Sequence, residues 1–88
     1  MLISVNEYRI KYSAHARLRM LERNVSKQEI AYALLHGIPM KQNEHATPFP
    51  KEEISCQVGS RWLVVVIAVN HADKVKVVIT VYAKGKKE

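Results

Sequence analysis

The sequence predicts one α+β domain over residues 1–88: a short N-terminal strand, two helices, and a three-stranded antiparallel meander covered on one face by a single layer of helices. Three observations predict it. Residues 13–37 carry apolar side chains at helical spacing between capping residues. Residues 54–84 change to runs of apolar and alternating residues separated by turn residues. A chain of 88 residues buries only about two-thirds of its unfolded surface, which leaves room for one core. At 48% hydrophobic and 25% charged, with few Gly or Pro, the composition is that of a folded globule, so disorder is expected only at the ends.

Each element has a local reason. Tyr8, Arg9, Ile10, Lys11 and Tyr12 alternate, which suits a short edge strand. Ser13 is placed to cap a helix running to about Asn24. Ser26 and Glu29 have capping-box spacing and open the second helix, which buries Ile30, Ala33 and Leu34. Gly37 is expected to close it with a left-handed residue, and Pro39 to prevent its resuming. Residues 40–51 show no periodicity and read as a loop. Ile54, Cys56 and Val58 then alternate with polar neighbours before a Gly59–Ser60 hairpin turn. Residues 62–69 are continuously apolar, as in a strand covered on both faces. After a turn at residues 70–73, the last strand is expected to place Val75, Val77, Ile79 and Val81 on one face. Lys74, Lys76, Val78, Thr80, Tyr82 and Lys84 fall on the other. Residues 85–88 should fray.

Several classes of function are excluded or disfavoured. Cys56 is the single cysteine, so neither an internal disulfide nor a cysteine zinc site is expected. Residues 1–7 lack the basic start and apolar run of a secretory leader, and the longest apolar run is about half of what spans a bilayer. A cytoplasmic protein with no membrane contact is the expectation. His36, His45 and His71 are scattered without metal-ligand spacing, and the isolated glycines suit no nucleotide loop, so neither metal nor cofactor is expected. The formal charge of +6 does point to a partner class: a field that size on a small surface attracts phosphates or an acidic protein. The plain alternative is solubility.

The most informative stretch is residues 15–23. His15, Arg19 and Arg23 fall at i, i+4 and i+8, so they form one ridge along the first helix, beside Ala16 and Met20. Cationic groups in a row repel unless an anion sits over them. Guanidinium groups offer paired donors to phosphate, and an imidazole exchanges protons near neutral pH. Cutting RNA without metal needs a base for the 2′-hydroxyl, a cation for the charged phosphorane and an acid for the leaving oxygen. His15, Arg19 and Arg23 with a residue of the last strand suit those roles. Alternatively, the arginines pair with Glu22, Glu29, Glu52 or Glu53 and His15 only packs or caps, since charged rows on helices are usually solvated faces.

The pattern from Ser13 through His15, Ala16, Arg19, Met20, Arg23 and Val25 to Ser26, the second helix ending at Gly37, and the closing residues 78–82 together resemble a bacterial family known as domain of unknown function 4258. The resemblance spans about residues 8–84. That family is in turn distantly similar to the RelE/ParE-type toxins of toxin–antitoxin pairs, which pack two helices on an antiparallel sheet. The resemblance implies a RelE-like, metal-independent endoribonuclease acting on RNA or the ribosome, with an acidic antitoxin as partner. The alternative is a non-catalytic RNA- or protein-binding module in which the ridge serves binding or structure. RelE-like enzymes carry their working Lys, Arg and Tyr on the sheet and C-terminal segment. Here the comparable positions are Arg61, Tyr82 and Lys84, without a matching motif, while the His/Arg cluster sits on the first helix. The catalytic candidates are therefore His15, Arg19, Arg23 and Tyr82.

On the last strand, Thr80, Tyr82 and Lys84, with Lys74 and Lys76, form a tyrosine-and-lysine face suited to stacking bases and neutralising phosphates. With Arg61 they are the RNA-binding candidates. Lysines on an edge strand also serve simply to discourage sheet-to-sheet pairing. Cys56 alternates with Ile54 and Val58 and reads as a core residue. Glu52 and Glu53 are available as catalytic carboxylates, but the expectation is that they simply sit at a strand entrance.

Overall fold

In the computed structural model, which describes residues 4–5 and 7–85, the chain runs β1 (Ser4–Val5), β2 (Tyr8–Tyr12), α1 (Ala14–Glu22), α2 (Lys27–His36), β3 (Ile38–Asn43), β4 (Lys51–Val58), β5 (Arg61–Asn70) and β6 (Val75–Lys84). The described strands form one mixed sheet in the order β1-β2-β6-β5-β4-β3. The chain leaves β2 for the two helices, re-enters at the far edge as β3, and meanders back through β4 and β5. It ends with β6 parallel to β2. Ala16, Met20, Ile30, Ala33 and Leu34 of the helices pack on Ile10, Ile54, Leu63, Val65, Ile67, Val78 and Val81, so the core lies on one side of the sheet. The α+β class, both helices and the β4–β6 meander are as expected. Among the described residues no helix is long and apolar enough to cross a membrane.

The helix ends follow from local chemistry. The Ser13 hydroxyl accepts from Ala16 N–H at 3.0 Å. Helix α1 closes on Asn24, in the left-handed region at φ 52°. Val25 N–H reaches back to Met20 C=O at 2.8 Å and Asn24 N–H to Leu21 C=O at 3.3 Å, with Val25 and Met20 both buried, so asparagine replaces the usual glycine of this motif. In α2 the capping box is complete: Glu29 N–H donates to Ser26 Oγ at 3.0 Å, and Ser26 N–H to Glu29 Oε1 at 2.9 Å. Gly37 is needed for a different reason than left-handed geometry. Its backbone is extended (φ −76°, ψ 169°), but an added Cβ would lie 2.4 Å from Ala33 O and 2.5 Å from Ile54 Cγ2.

The sheet departs from expectation at four places. Strand β2 is not an edge, because β1 pairs outside it through Ser4↔Arg9 and Val5↔Tyr8. Part of the expected loop is strand β3, whose residues are all exposed, so no buried face imposed an alternation. Strand β5 is covered on one face only: its odd-numbered residues 61–69 are buried, whereas Trp62 is 48% exposed on the other. In β6, Ile79 is a bulge between the pairs Val66↔Thr80 and Ile67↔Val78, and it reverses the faces. Val75 and Val77 therefore share the open face with Thr80, Tyr82 and Lys84, while Lys76 and Val78 share the helix-bearing face with Val81. The frayed tail lies, beyond Gly85, outside the described residues.

Arg61 also falls elsewhere than expected. It is 3% exposed and is not a surface contact for RNA. Its guanidinium donates at 2.7 Å to both Arg23 O and Asn24 O, and at 3.1–3.2 Å to the Glu29 carboxylate. It thereby satisfies carbonyls left over at the end of α1 and ties them to the cap of α2.

Candidate nucleic-acid interface

The position of α1 is fixed by the β6 bulge. Ser13 N–H donates to Val78 O at 3.0 Å, and Ser13 Oγ donates to Ile79 O at 3.0 Å. Strand β2 pairs β6 only as far as Tyr12↔Val78. From there α1 accompanies the remainder of β6, with Ala16 and Met20 buried in the core. The ridge beside those two residues emerges next to the C-terminal half of β6, with His15 exposed and Arg19 and Arg23 half-buried.

Two contacts organise the ridge. Arg19 Nη1 donates to the Glu22 carboxylate at 2.9 and 3.2 Å, and Arg19 Nε approaches His15 Nε2 at 3.4 Å. Arg19 is thus partly neutralised, by one of the glutamates that the sequence offers. Arg23 differs: its guanidinium lies 5.8 Å from the centre of the Tyr82 ring, and among the described residues it has no carboxylate partner. Arg19 and Arg23 follow one another a helical turn apart, so the row from His15 leads to Tyr82 and meets the sheet at Arg23.

The sheet extends the strip. Tyr82 lies across from Val64 and Lys84 across from Trp62, on the open face. Tyr82 and Trp62 are diagonal neighbours there, 47% and 48% exposed. Trp62 is the residue that sequence reading missed, because a continuous apolar run does not reveal which positions lack a cover; its flanking position, just after the hairpin turn, is the available signal. Of the other candidates, Lys84 is exposed on this face. Thr80 is on it too but buried, its hydroxyl without a partner among the described residues. Lys74 lies in the β5–β6 turn, and Lys76 is on the helix-bearing face, so neither joins Tyr82.

The acidic and metal-binding residues do not assemble here. Glu53 reaches Lys41 at 3.9 Å and Glu52 accepts from Gln42 at 3.4 Å, both on the β3–β4 side of the sheet. His36 stacks on Tyr32, and His71 bonds Tyr8. Among the described residues no three His, Cys, Asp or Glu side chains gather as a metal site. Cys56 is buried, which pushes its thiol above the ordinary range and makes it a poor nucleophile.

The family profile described as Domain of unknown function (DUF4258) matches residues 12–83. The chain belongs to the DUF4258 family. The matched segment begins at the last residue of β2 and ends within β6, so it includes both helices, the ridge, Trp62 and Tyr82. No curated protein and no solved structure matches the chain.

Proposed function

We propose that this DUF4258 protein binds single-stranded RNA along the strip from His15 to Tyr82. The carrying observation is Arg23, a guanidinium without a carboxylate partner among the described residues, lying over a half-exposed tyrosine. Eight residues of helix separate His15 from Arg23, about 12 Å, which is long enough to follow a backbone past a single phosphate. Arg19, Arg23 and Lys84 neutralise phosphates, while Tyr82 and Trp62 stack bases, the usual division of labour on single-strand platforms. The choice of RNA rests on the resemblance to RelE/ParE-type toxins. That resemblance also supplies the partner reading: an acidic antitoxin competing for the same strip.

Metal-independent cleavage is the second reading, favoured by the exposed imidazole of His15 beside Arg19. A phosphate oxygen engaging Arg19 replaces the long 3.4 Å contact and frees His15 Nε2. His15 then takes the 2′-hydroxyl proton, and O2′ attacks phosphorus as Arg19 and Arg23 stabilise the extra charge. The bond to O5′ breaks with a proton supplied by Tyr82 or water, leaving a 2′,3′-cyclic phosphate and a 5′-hydroxyl.

One experiment separates the readings. Labelled single-stranded RNA is titrated with protein in EDTA, binding being followed by anisotropy and products by gel. Arg23→Ala should weaken binding about tenfold, and Trp62→Ala by a similar factor, the worth of one phosphate contact or one stacked base. Cyclic-phosphate ends that vanish in His15→Ala establish cleavage; binding with intact RNA establishes the first reading alone. Absence of binding to free or ribosome-bound RNA refutes both.

A further inference from the structure

A second cationic centre lies where the start of β2 meets the β5–β6 turn. Tyr8 Oη and His71 Nδ1 share a 2.7 Å hydrogen bond, their rings edge-on at 84°. The ammonium groups of Lys74 and Lys76 lie 5.4 and 5.1 Å from the centre of the same Tyr8 ring. Lys74 is held by a left-handed backbone (φ 55°) and by Arg9 N–H donating to its carbonyl at 2.9 Å.

Ion pairing accounts for neither lysine, and edge protection does not account for Lys76. Among the described residues neither has a carboxylate within ion-pair distance. Asp73, the acid of the turn, is engaged with Asn70, its N–H donating to Asn70 Oδ1 and its carboxylate accepting from Asn70 Nδ2, both at 3.1 Å. Glu7 is exposed beside Tyr8 and pairs with neither lysine. Edge protection fails as an explanation for Lys76, because β6 there is flanked by β2 (Ile10↔Lys76) and β5 (Val69↔Lys76). Two ammonium groups drawn to one ring repel each other, and a shared anion relieves that. His71 adds a third donor. With the phenol donating to Nδ1, the neutral imidazole keeps its proton on Nε2, and the charged imidazole has it there as well.

We propose that Tyr8, His71, Lys74 and Lys76 form a phosphate-binding site separate from the ridge. Two ammonium groups and one imidazole N–H suit a group with several anionic oxygens. Its source is either an RNA backbone phosphate, which extends the proposed function, or a small phosphomonoester. The site itself stands on its own geometry and does not depend on the RNA reading.

The test follows the His71 ring resonances by NMR during titration with inorganic phosphate, with a nucleoside monophosphate, and with a uridine hexanucleotide lacking terminal phosphates. Inorganic phosphate should move them at millimolar concentration. The Lys74→Asn/Lys76→Gln variant, whose asparagine tolerates the left-handed backbone, should need about tenfold more, the worth of a charge-assisted contact. Lys41→Gln, a charge lost on β3 at the far edge of the sheet, should respond like the parent. Movement with the hexanucleotide assigns the site to RNA. Movement with the small phosphates alone assigns it to a phosphomonoester, and failure of RNA binding at the ridge is read separately by anisotropy. Unmoved His71 signals with all three probes, or an equal response from the folded double variant, overturn the site.

Discussion

Arg61 shows how one side chain is diverted from the surface by unsatisfied backbone. A helix leaves its last carbonyls without intrahelical donors, and those of Arg23 and Asn24 end in the interior. A planar guanidinium reaches both and still engages Glu29, whereas an ammonium offers no such fork. Arg61→Ala should therefore cost about 3–5 kcal/mol, because it removes the buried cationic partner of the Glu29 carboxylate and the side-chain donor to two carbonyls. Arg61→Lys should recover only part of that loss. Urea denaturation followed by tryptophan fluorescence measures both; an alanine variant as stable as the parent would show that the network contributes nothing. The same residue marks what sequence conceals, since its partners lie 32 to 38 positions away.

At the scale of elements, the α2–β3 junction is the tightest joint. Gly37 passes so close to Ala33 O, Ser55 O and Ile54 that a methyl group has no room, and two of those three neighbours are backbone. Gly37→Ala should destabilise by about 1–3 kcal/mol through overpacking, without strain in φ. Thermal melting of the variant checks this, and an unchanged midpoint would mean that the joint opens freely. The helices themselves were legible because their signals are local: Ser13, and the Ser26–Glu29 pair, announce their caps within four residues. Strand β3 was illegible because no side chain on it is buried. The β6 faces were misread because the Ile79 bulge leaves the apolar alternation unbroken while reversing its direction. In the candidate site, the ridge followed from helical spacing, but its junction with the sheet at Arg23 and Tyr82, and the stacking position of Trp62, required the register of β5 on β6.

For the whole molecule, stability derives from one core on one side of the sheet, and that core includes acids that must stay neutral. Cys56 is a member, and Tyr12 packs against it. Burial raises the pKa of both above their ordinary values, and the Tyr12 hydroxyl has no hydrogen-bond partner among the described residues. In the window above the ordinary values the unfolded chain releases these protons while the folded chain retains them. The folded state then binds more protons, so the stability is fully present below about pH 9 and is lost as pH rises through the raised values. Tyr12→Phe removes the ionisable hydroxyl and keeps the ring that packs on the core and meets the Lys27 ammonium at 5.3 Å. It should leave stability at neutral pH unchanged or raise it, because an unpaired buried hydroxyl costs about 1–3 kcal/mol. It should also flatten the alkaline decline, leaving the part due to Cys56. Urea midpoints measured across neutral and alkaline pH for parent and variant test this, and parallel curves would locate the alkaline loss outside Tyr12.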